Sequence, residues 1–401
     1  MDVTYDHKFN IKTLSIYNFS FFFLLTLIFY SPSIFGRDYI GIVLLYLFLL
    51  LIMFKGINFN KLTLLILGYV MVTTLVEFLN LYTYPASFQL IIRTLIYNFL
   101  PLAAFLVGSF LTGRMTNKTF SQVIFLVGFV QIFVGLAQVY SESFRLFTLS
   151  NYADFEKYNN NFETWEVGRI IGTIGNPNTY GVFIVIFVLF ICNVLLPKYK
   201  NNSKIKVLLT TTLLISIVSI ILSQSRTAYI LLAIGLVISI VLNKKSSLNK
   251  FMWFIITALS LIILLFYNEF VSQRFTNESL TSLGGRVEVW KTFIDNYLFP
   301  FNINSLIGSG VERISDIGIA VDNYYLQLLL QYGVIGLILY ISIFIVIIGH
   351  FLFYFRISKY STFIISTILV VLISDMSGSV SMNPDITVFL FLIIGYCYKK
   401  Y

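Results

Sequence analysis

Three arginines and one aspartate stand at the edges of long apolar runs, where charge is costly unless it has work to do. Arg226 sits in SQSRTA, residues 223–228, the whole polar connection between two such runs. Arg286 follows two glycines in GGRVEVWKTFIDNYLFP, and Arg169 opens RIIGTIGNPNTYG. A guanidinium is a planar fork suited to bidentate contact with phosphate. Beside Arg169, the N–H groups at the start of the next helix converge on the same place, which favours an anion. Asp322-Asn323 begins a further apolar run, DNYYLQLLLQYGVIG. A carboxylate at the mouth of a polar cavity can accept a proton from a sugar hydroxyl.

Each of these residues also has a plainer reading. Asn176 and Pro177 suit the N-cap and first position of a helix. Arg226 can snorkel at a membrane surface, and Asp322 can serve as an N-cap. Glu77 and Arg93, near the ends of consecutive spans, are expected to pair structurally, and Asp375 has no assigned role. Val287, Trp290, Ile294 and Tyr297 recur at helical spacing, as in a helix lying on the membrane interface, with Trp290 and Tyr297 as anchors. The two histidines, His7 and His350, fall away from the other candidates. No cluster has metal-ligand spacing, so neither a metal nor a cofactor is expected. There is no Ser/His/Asp arrangement and no GxxxxGK[ST] phosphate loop.

The elements that position these residues are membrane helices. Of the 401 residues 58% are hydrophobic and 11% charged, against about 25% charged in soluble domains. Apolar stretches long enough for a hydrocarbon core of about 30 Å recur along the chain. The fold class is therefore all-α, a polytopic membrane helical bundle of about 12 transmembrane helices, with a large outer loop before span ten. The expected spans are 17–34, 38–54, 62–82, 88–111, 120–140, 177–197, 205–222, 227–243, 251–268, 324–355, 360–378 and 384–398. The tenth is too long for one simple crossing, and Gly333 or Gly336 is its expected break. The first reads as an uncleaved anchor. Residues 1–401 form a single integral membrane domain with polar outer loops at 141–176 and 269–322. Cys192 and Cys397 lie inside apolar runs and are not expected to do chemistry.

Alternate loops collect 17 of the 27 basic residues with only Asp2 and Asp6 from the acids. That side is net +15, and the remainder of the +9 chain is net −6. The positive-inside rule makes the basic side cytoplasmic, with both termini there and any site opening outward. The basic residues form no single patch, so nucleic acid is not an expected partner. Short cytoplasmic loops leave no room for a nucleotide-binding domain.

In order, Arg169 with GTIGNPN, SQSR, GGR with Trp290, GSG and DNYYLQLLLQYGVIG resemble the O-antigen polymerase and ligase family of bacterial envelope enzymes, across about residues 165–355. The resemblance implies a multi-pass protein of the bacterial inner (plasma) membrane. It would transfer a glycan from an undecaprenyl diphosphate-linked oligosaccharide to an acceptor hydroxyl at the outer face, without nucleotide or metal. It implies that Arg226 and Arg286, with Arg169 as a third, hold the diphosphate and stabilise charge on the leaving group. Asn176, Asn178, Asn323 and Tyr324 are the accompanying substrate-binding candidates. The ligase branch resembles this chain but has His-Asn where Asp322-Asn323 stands. That departure favours a repeat-unit polymerase with Asp322 as base. A chain-length regulator and a repeat-unit flippase are the partners implied. The alternatives are a ligase-type glycan transferase, a transporter or flippase of lipid-linked sugars, and a passive membrane protein.

Overall fold

The computed structural model describes residues 11–31, 39–53, 60–80, 88–153, 169–242, 286–295, 303–310, 322–353, 360–378 and 380–398. The chain is a polytopic bundle of apolar helices, with no strands among the described residues. Its first five spans are α1 (Ile11–Tyr30), α2 (Tyr39–Met53), α3 (Lys61–Asn80), α4 (Phe88–Leu111) and α5 (Asn117–Tyr140). A shorter helix, α6 (Glu142–Tyr152), follows inside the first expected outer loop. Then come α7 (Pro177–Phe190, continuing through a π turn at Ile191–Leu195 to Lys198), α8 (Ser203–Ser223) and α9 (Arg226–Leu242). The large loop contributes α10 (Arg286–Phe293) and α11 (Ile303–Ile307). The bundle closes with α12 (Tyr324–Phe353), α13 (Ser361–Ser374) and α14 (Pro384–Tyr398). Six helices are long and apolar enough to cross a membrane and five shorter apolar ones accompany them. These eleven correspond to the expected spans except the ninth, 251–268, which lies outside the described residues.

Burial follows the logic of a lipid solvent. On α3, Leu64, Met71, Leu75 and Phe78 are exposed at helical spacing, while Ile66, Tyr69, Val70 and Val76 face inward. Apolar residues on both sides are what hydrocarbon permits and water does not. The central helix is α7, buried over nearly all of its length, with Asn178, Pro197 and Lys198 half-buried at its ends. Its 22 residues reach about 33 Å at 1.5 Å each, enough for the core of a bilayer. Its π turn carries Asn193, whose amide donates to Ser239 Oγ of α9 at 2.9 Å. Ser239 in turn lies 3.1 Å from Ser366 Oγ of α13, so a buried polar chain joins three helices. Helices α4 and α14 approach most closely: a Cβ on Gly108 would stand 2.1 Å from Leu392 O, and one on Gly395 2.1 Å from Phe105 O. Small residues that let backbones meet are the usual means of association in lipid.

The long tenth span is broken at Gly333, which has φ 64° and ψ −170°. The break leaves a half-helix, Tyr324–Tyr332, and a remainder over 334–353 that spans about 30 Å. A single residue with positive φ resolves the excess length, and glycine takes that conformation without a Cβ clash.

Polar contacts mark the two ends of the bundle. At one end Lys198 Nζ donates to Asn117 O at 3.1 Å and to Ser121 Oγ at 3.3 Å, and Tyr396 donates to Asn117 Oδ1 at 2.9 Å. This basic end brings Arg114, Lys118, Lys198, Lys200, Lys204 and Lys206 together. The opposite end gathers the starts of α7, α9, α12 and α14.

Candidate functional site

The segment before α7 is a buried plug. Ile170, Ile171 and Ile174 are buried, and two glutamines of α5 satisfy the backbone that their burial strips of water. Gln138 Oε1 accepts from Ile171 N at 3.0 Å and Gly172 N at 3.2 Å, while its amide donates to Gly172 O at 3.0 Å. Gln131 Oε1 accepts from Thr173 N at 3.2 Å. Asn176 is the N-cap of α7, its Oδ1 accepting from Asn178 N at 2.9 Å and Thr179 N at 3.3 Å, with Pro177 in the first turn.

Arg169 joins this plug to the turn between α8 and α9. Its Nε donates to Ser223 O at 2.9 Å and one terminal nitrogen donates to Asn178 Oδ1 at 2.9 Å. Ile170 N adds a bond to Leu222 O at 3.3 Å. The turn itself is tight: Gln224 takes a left-handed conformation at φ 50°, and Arg226 is the first residue of α9, half-buried. Arg169, Asn176, Asn178 and Arg226 are therefore one neighbourhood.

A second neighbourhood centres on Arg286 and Asp322. Arg286 begins α10, and a terminal nitrogen lies 3.3 Å from Asp322 Oδ2. The side chains are 30% and 57% exposed, so the pair is open at the surface. Asp322 is not the helix cap. Asn323 fills that place, its Oδ1 accepting from Leu326 N at 3.2 Å, which leaves the Asp322 carboxylate for Arg286. Tyr324 is buried, its ring set edge-on to Tyr340 at 5.3 Å. On α10 Val287 is exposed and Trp290 and Ile294 are half-buried. Phe293, outside the expected apolar stripe, is the residue that packs inward. Tyr297 lies outside the described residues.

The two neighbourhoods meet at the turn between α13 and α14, where the sequence offered an acid without a role. Asp375 is fully buried and accepts three hydrogen bonds: Oδ1 from Ser381 N at 3.0 Å, Oδ2 from Ser381 Oγ at 2.6 Å and from Tyr340 OH at 2.9 Å. Its backbone carbonyl accepts from Tyr324 N at 2.9 Å. Two residues on, Ser377 Oγ is 3.2 Å from Thr227 Oγ1, beside Arg226. One short turn thus touches both the start of α12 and the start of α9. The usable signal was the cost of an unexplained acid at the end of an apolar run; its partners, 35 residues upstream and six downstream, had no local signature. Beneath it Tyr69, Tyr324, Tyr340, Phe344, Ser381 and Leu390 are among the residues lining a largely apolar cavity of about 30 Å³.

Glu77 is buried on α3, close to the Tyr332 hydroxyl. The Arg93 side chain expected to pair with it lies outside the described residues. His350 stacks on Tyr398 at 3.9 Å toward the basic end, and His7 lies outside the described residues. Cys192 and Cys397 are buried free thiols.

Arg286 and Asp322 form an ion pair exposed enough for an external anion to compete for the guanidinium. No curated protein matches the chain. Residues 211–341 match the protein-family model described as O-antigen ligase, a stretch running from within α8 into α12. It includes Arg226, Arg286, Asp322, Asn323 and Tyr324, whereas Arg169, Asn176 and Asn178 precede it. Over that stretch the chain is similar to the O-antigen ligase family, in keeping with a membrane protein that processes glycans.

Proposed function

We propose that this protein is a glycan polymerase that joins undecaprenyl diphosphate-linked oligosaccharide repeat units at the outer face of the bacterial inner (plasma) membrane. The observation that carries this reading is the exposed Arg286–Asp322 pair, beside a turn that reaches Thr227, the residue after Arg226. The net +15 of the alternate loops supports an outward-facing site.

A diphosphate carries two to three negative charges, and an exposed ion pair is worth at most about 1 kcal/mol. Bidentate guanidinium–phosphate contacts are stronger, so donor binding draws Arg286 from Asp322. The freed carboxylate is then open to an acceptor hydroxyl. Asp322 takes the hydroxyl proton, the hydroxyl oxygen bonds to the anomeric carbon, and the bond from that carbon to the diphosphate breaks. The electron pair leaves on the diphosphate, where Arg286 and Arg226 stabilise it. One displacement inverts the anomeric centre. The chemistry is metal-independent on this reading, with a repeat-unit flippase and a chain-length regulator as working partners.

A second reading, transfer of a finished glycan to a different acceptor, is favoured by the description of the matching family model. The test is a deletion strain complemented with wild type, Arg226→Ala or Arg286→Ala at matched expression, with surface glycan resolved on a gel. Polymerisation gives a ladder with wild type and a single repeat unit in the deletion and both variants. Loss of all surface glycan from the deletion, the single unit included, supports ligation or export and overturns the polymerase reading.

A further inference from the structure

The half-helix Tyr324–Tyr332, separated from Asp322 only by its cap Asn323, is suspended between two polar anchors. At its start Tyr324 N donates to Asp375 O, and Tyr325 OH donates to Leu372 O at 2.6 Å. At its end the break at Gly333 withholds the helical donors that Leu330 and Gln331 would otherwise use. A strap formed by α11 and Gly308-Ser309-Gly310 supplies them instead: Ser309 N donates to Leu330 O at 2.8 Å and Gly310 N to Gln331 O at 3.0 Å. The fit is tight, since a Cβ on Gly308 would stand 2.3 Å from Gln331 O and one on Gly333 2.2 Å from Leu306 O.

The strap is braced from behind by α3. Asn80 Nδ2 donates to Gly308 O at 3.3 Å and to Val76 O at 2.9 Å. A Cβ on Gly310 would meet Glu77 Oε2 at 3.2 Å, which places the Glu77 carboxylate against the strap. Beside Glu77 also lies Tyr332, the last residue of the half-helix, whose hydroxyl donates to Asn98 Oδ1 at 3.0 Å. Glu77 therefore lies between the strap and the helix end that the strap holds. A carboxylate buried among apolar spans is costly, and a positional task in this polar cluster accounts for it.

We propose that Glu77 is a positioning residue: by holding the strap and Tyr332 together it fixes the half-helix that sets Asp322 opposite Arg286. The proposal rests on the reading of that pair as part of the transfer site. Its consequence for rate is large, because a displacement of about 1 Å costs up to about a hundredfold when reacting groups must align.

The experiment has two independent readouts on the full-length purified chain. Spin labels at Tyr140→Cys on α5 and Leu326→Cys on the half-helix, with Cys192 and Cys397 replaced, report where the half-helix stands relative to the bundle. Wild type and Glu77→Gln, which retains a hydrogen-bond acceptor, are expected to share one narrow distance distribution, and Glu77→Ala to broaden it. Surface-glycan ladders from the unlabelled variants are expected to fall about a hundredfold with Glu77→Ala and to be restored by Glu77→Gln. Where Glu77→Ala does not yield monodisperse protein, Asn80→Ala, which removes the side-chain brace on Gly308 O, decides by the same distance measurement. An unchanged distribution in the alanine variants overturns the proposal. A broadened distribution in a chain whose wild type makes no ladder sustains the positioning role and rejects the polymerase reading.

Discussion

The backbone amide of Tyr324 donates to the carbonyl of Asp375 at 2.9 Å, so the first turn of α12 hangs from the turn between α13 and α14. That turn is rigid because the Asp375 carboxylate gathers the Ser381 amide, the Ser381 hydroxyl and the Tyr340 hydroxyl. Asp375→Ala strands three donors in a buried place, at about 1–3 kcal/mol for each one left unmade. Asp375→Asn keeps one carbonyl oxygen and the volume. The expected order of thermal stability in detergent is wild type, Asn variant, Ala variant. Equal melting temperatures would show that the cluster contributes nothing.

Gly333→Ala places a Cβ where φ is 64° and Leu306 O is 2.2 Å away. The backbone strain alone costs about 1–3 kcal/mol. The clash with backbone adds to it, since no flexible side chain can yield. A lowered melting temperature is expected, whereas Gly349→Ala, with nothing within 4 Å of the added carbon, should match wild type.

Arg286 and Asp322 act on one reacting centre in the proposed mechanism, so their substitutions should not add. Asp322→Asn and Arg286→Ala are each expected to abolish the ladder, and the double variant to be no worse than the more damaging single one. Independent, multiplying losses in a single-turnover assay would separate the two residues into different steps.

Arg169→Lys keeps a positive charge but removes the fork that reaches Ser223 O and Asn178 Oδ1 together. If the charge alone matters, the lysine variant polymerises as wild type does. The two-armed geometry predicts a shortened or absent ladder at normal protein abundance.

Orientation is open to a direct chemical check. A cysteine at Lys200, exposed at the basic end, is expected to resist a membrane-impermeant thiol reagent in intact cells. One at Tyr140, 87% exposed at the opposite end, is expected to react. The reverse pattern would put the arginines on the cytoplasmic side.

The spans were legible because hydropathy needs only local sequence, and the same holds for the Asn176 cap and the Gly333 break. Helix α6 was not: ESFRLFTLSNY is too polar and short to register as a span, and what fixes it is Tyr152 OH reaching Tyr30 O at 2.9 Å. The choice between Asp322 and Asn323 as cap was equally hidden, since adjacent residues of similar propensity are separated only by the distant Arg286. For the same reason Asp375 remained without a role until residues from α12 and the following turn were placed around it. Long-range polar contacts in lipid leave no periodic trace, whereas apolar faces do.

The most apolar 18-residue window of helix α7 is buried throughout by its neighbours. A lipid-facing helix has a side on which one apolar residue serves as well as another, and random substitution there passes unnoticed. Over that buried window α7 has no such permissive stripe. A saturation scan of the chain should therefore show α7 as a continuous band of intolerance, flanked by helices whose tolerance rises and falls every three to four residues.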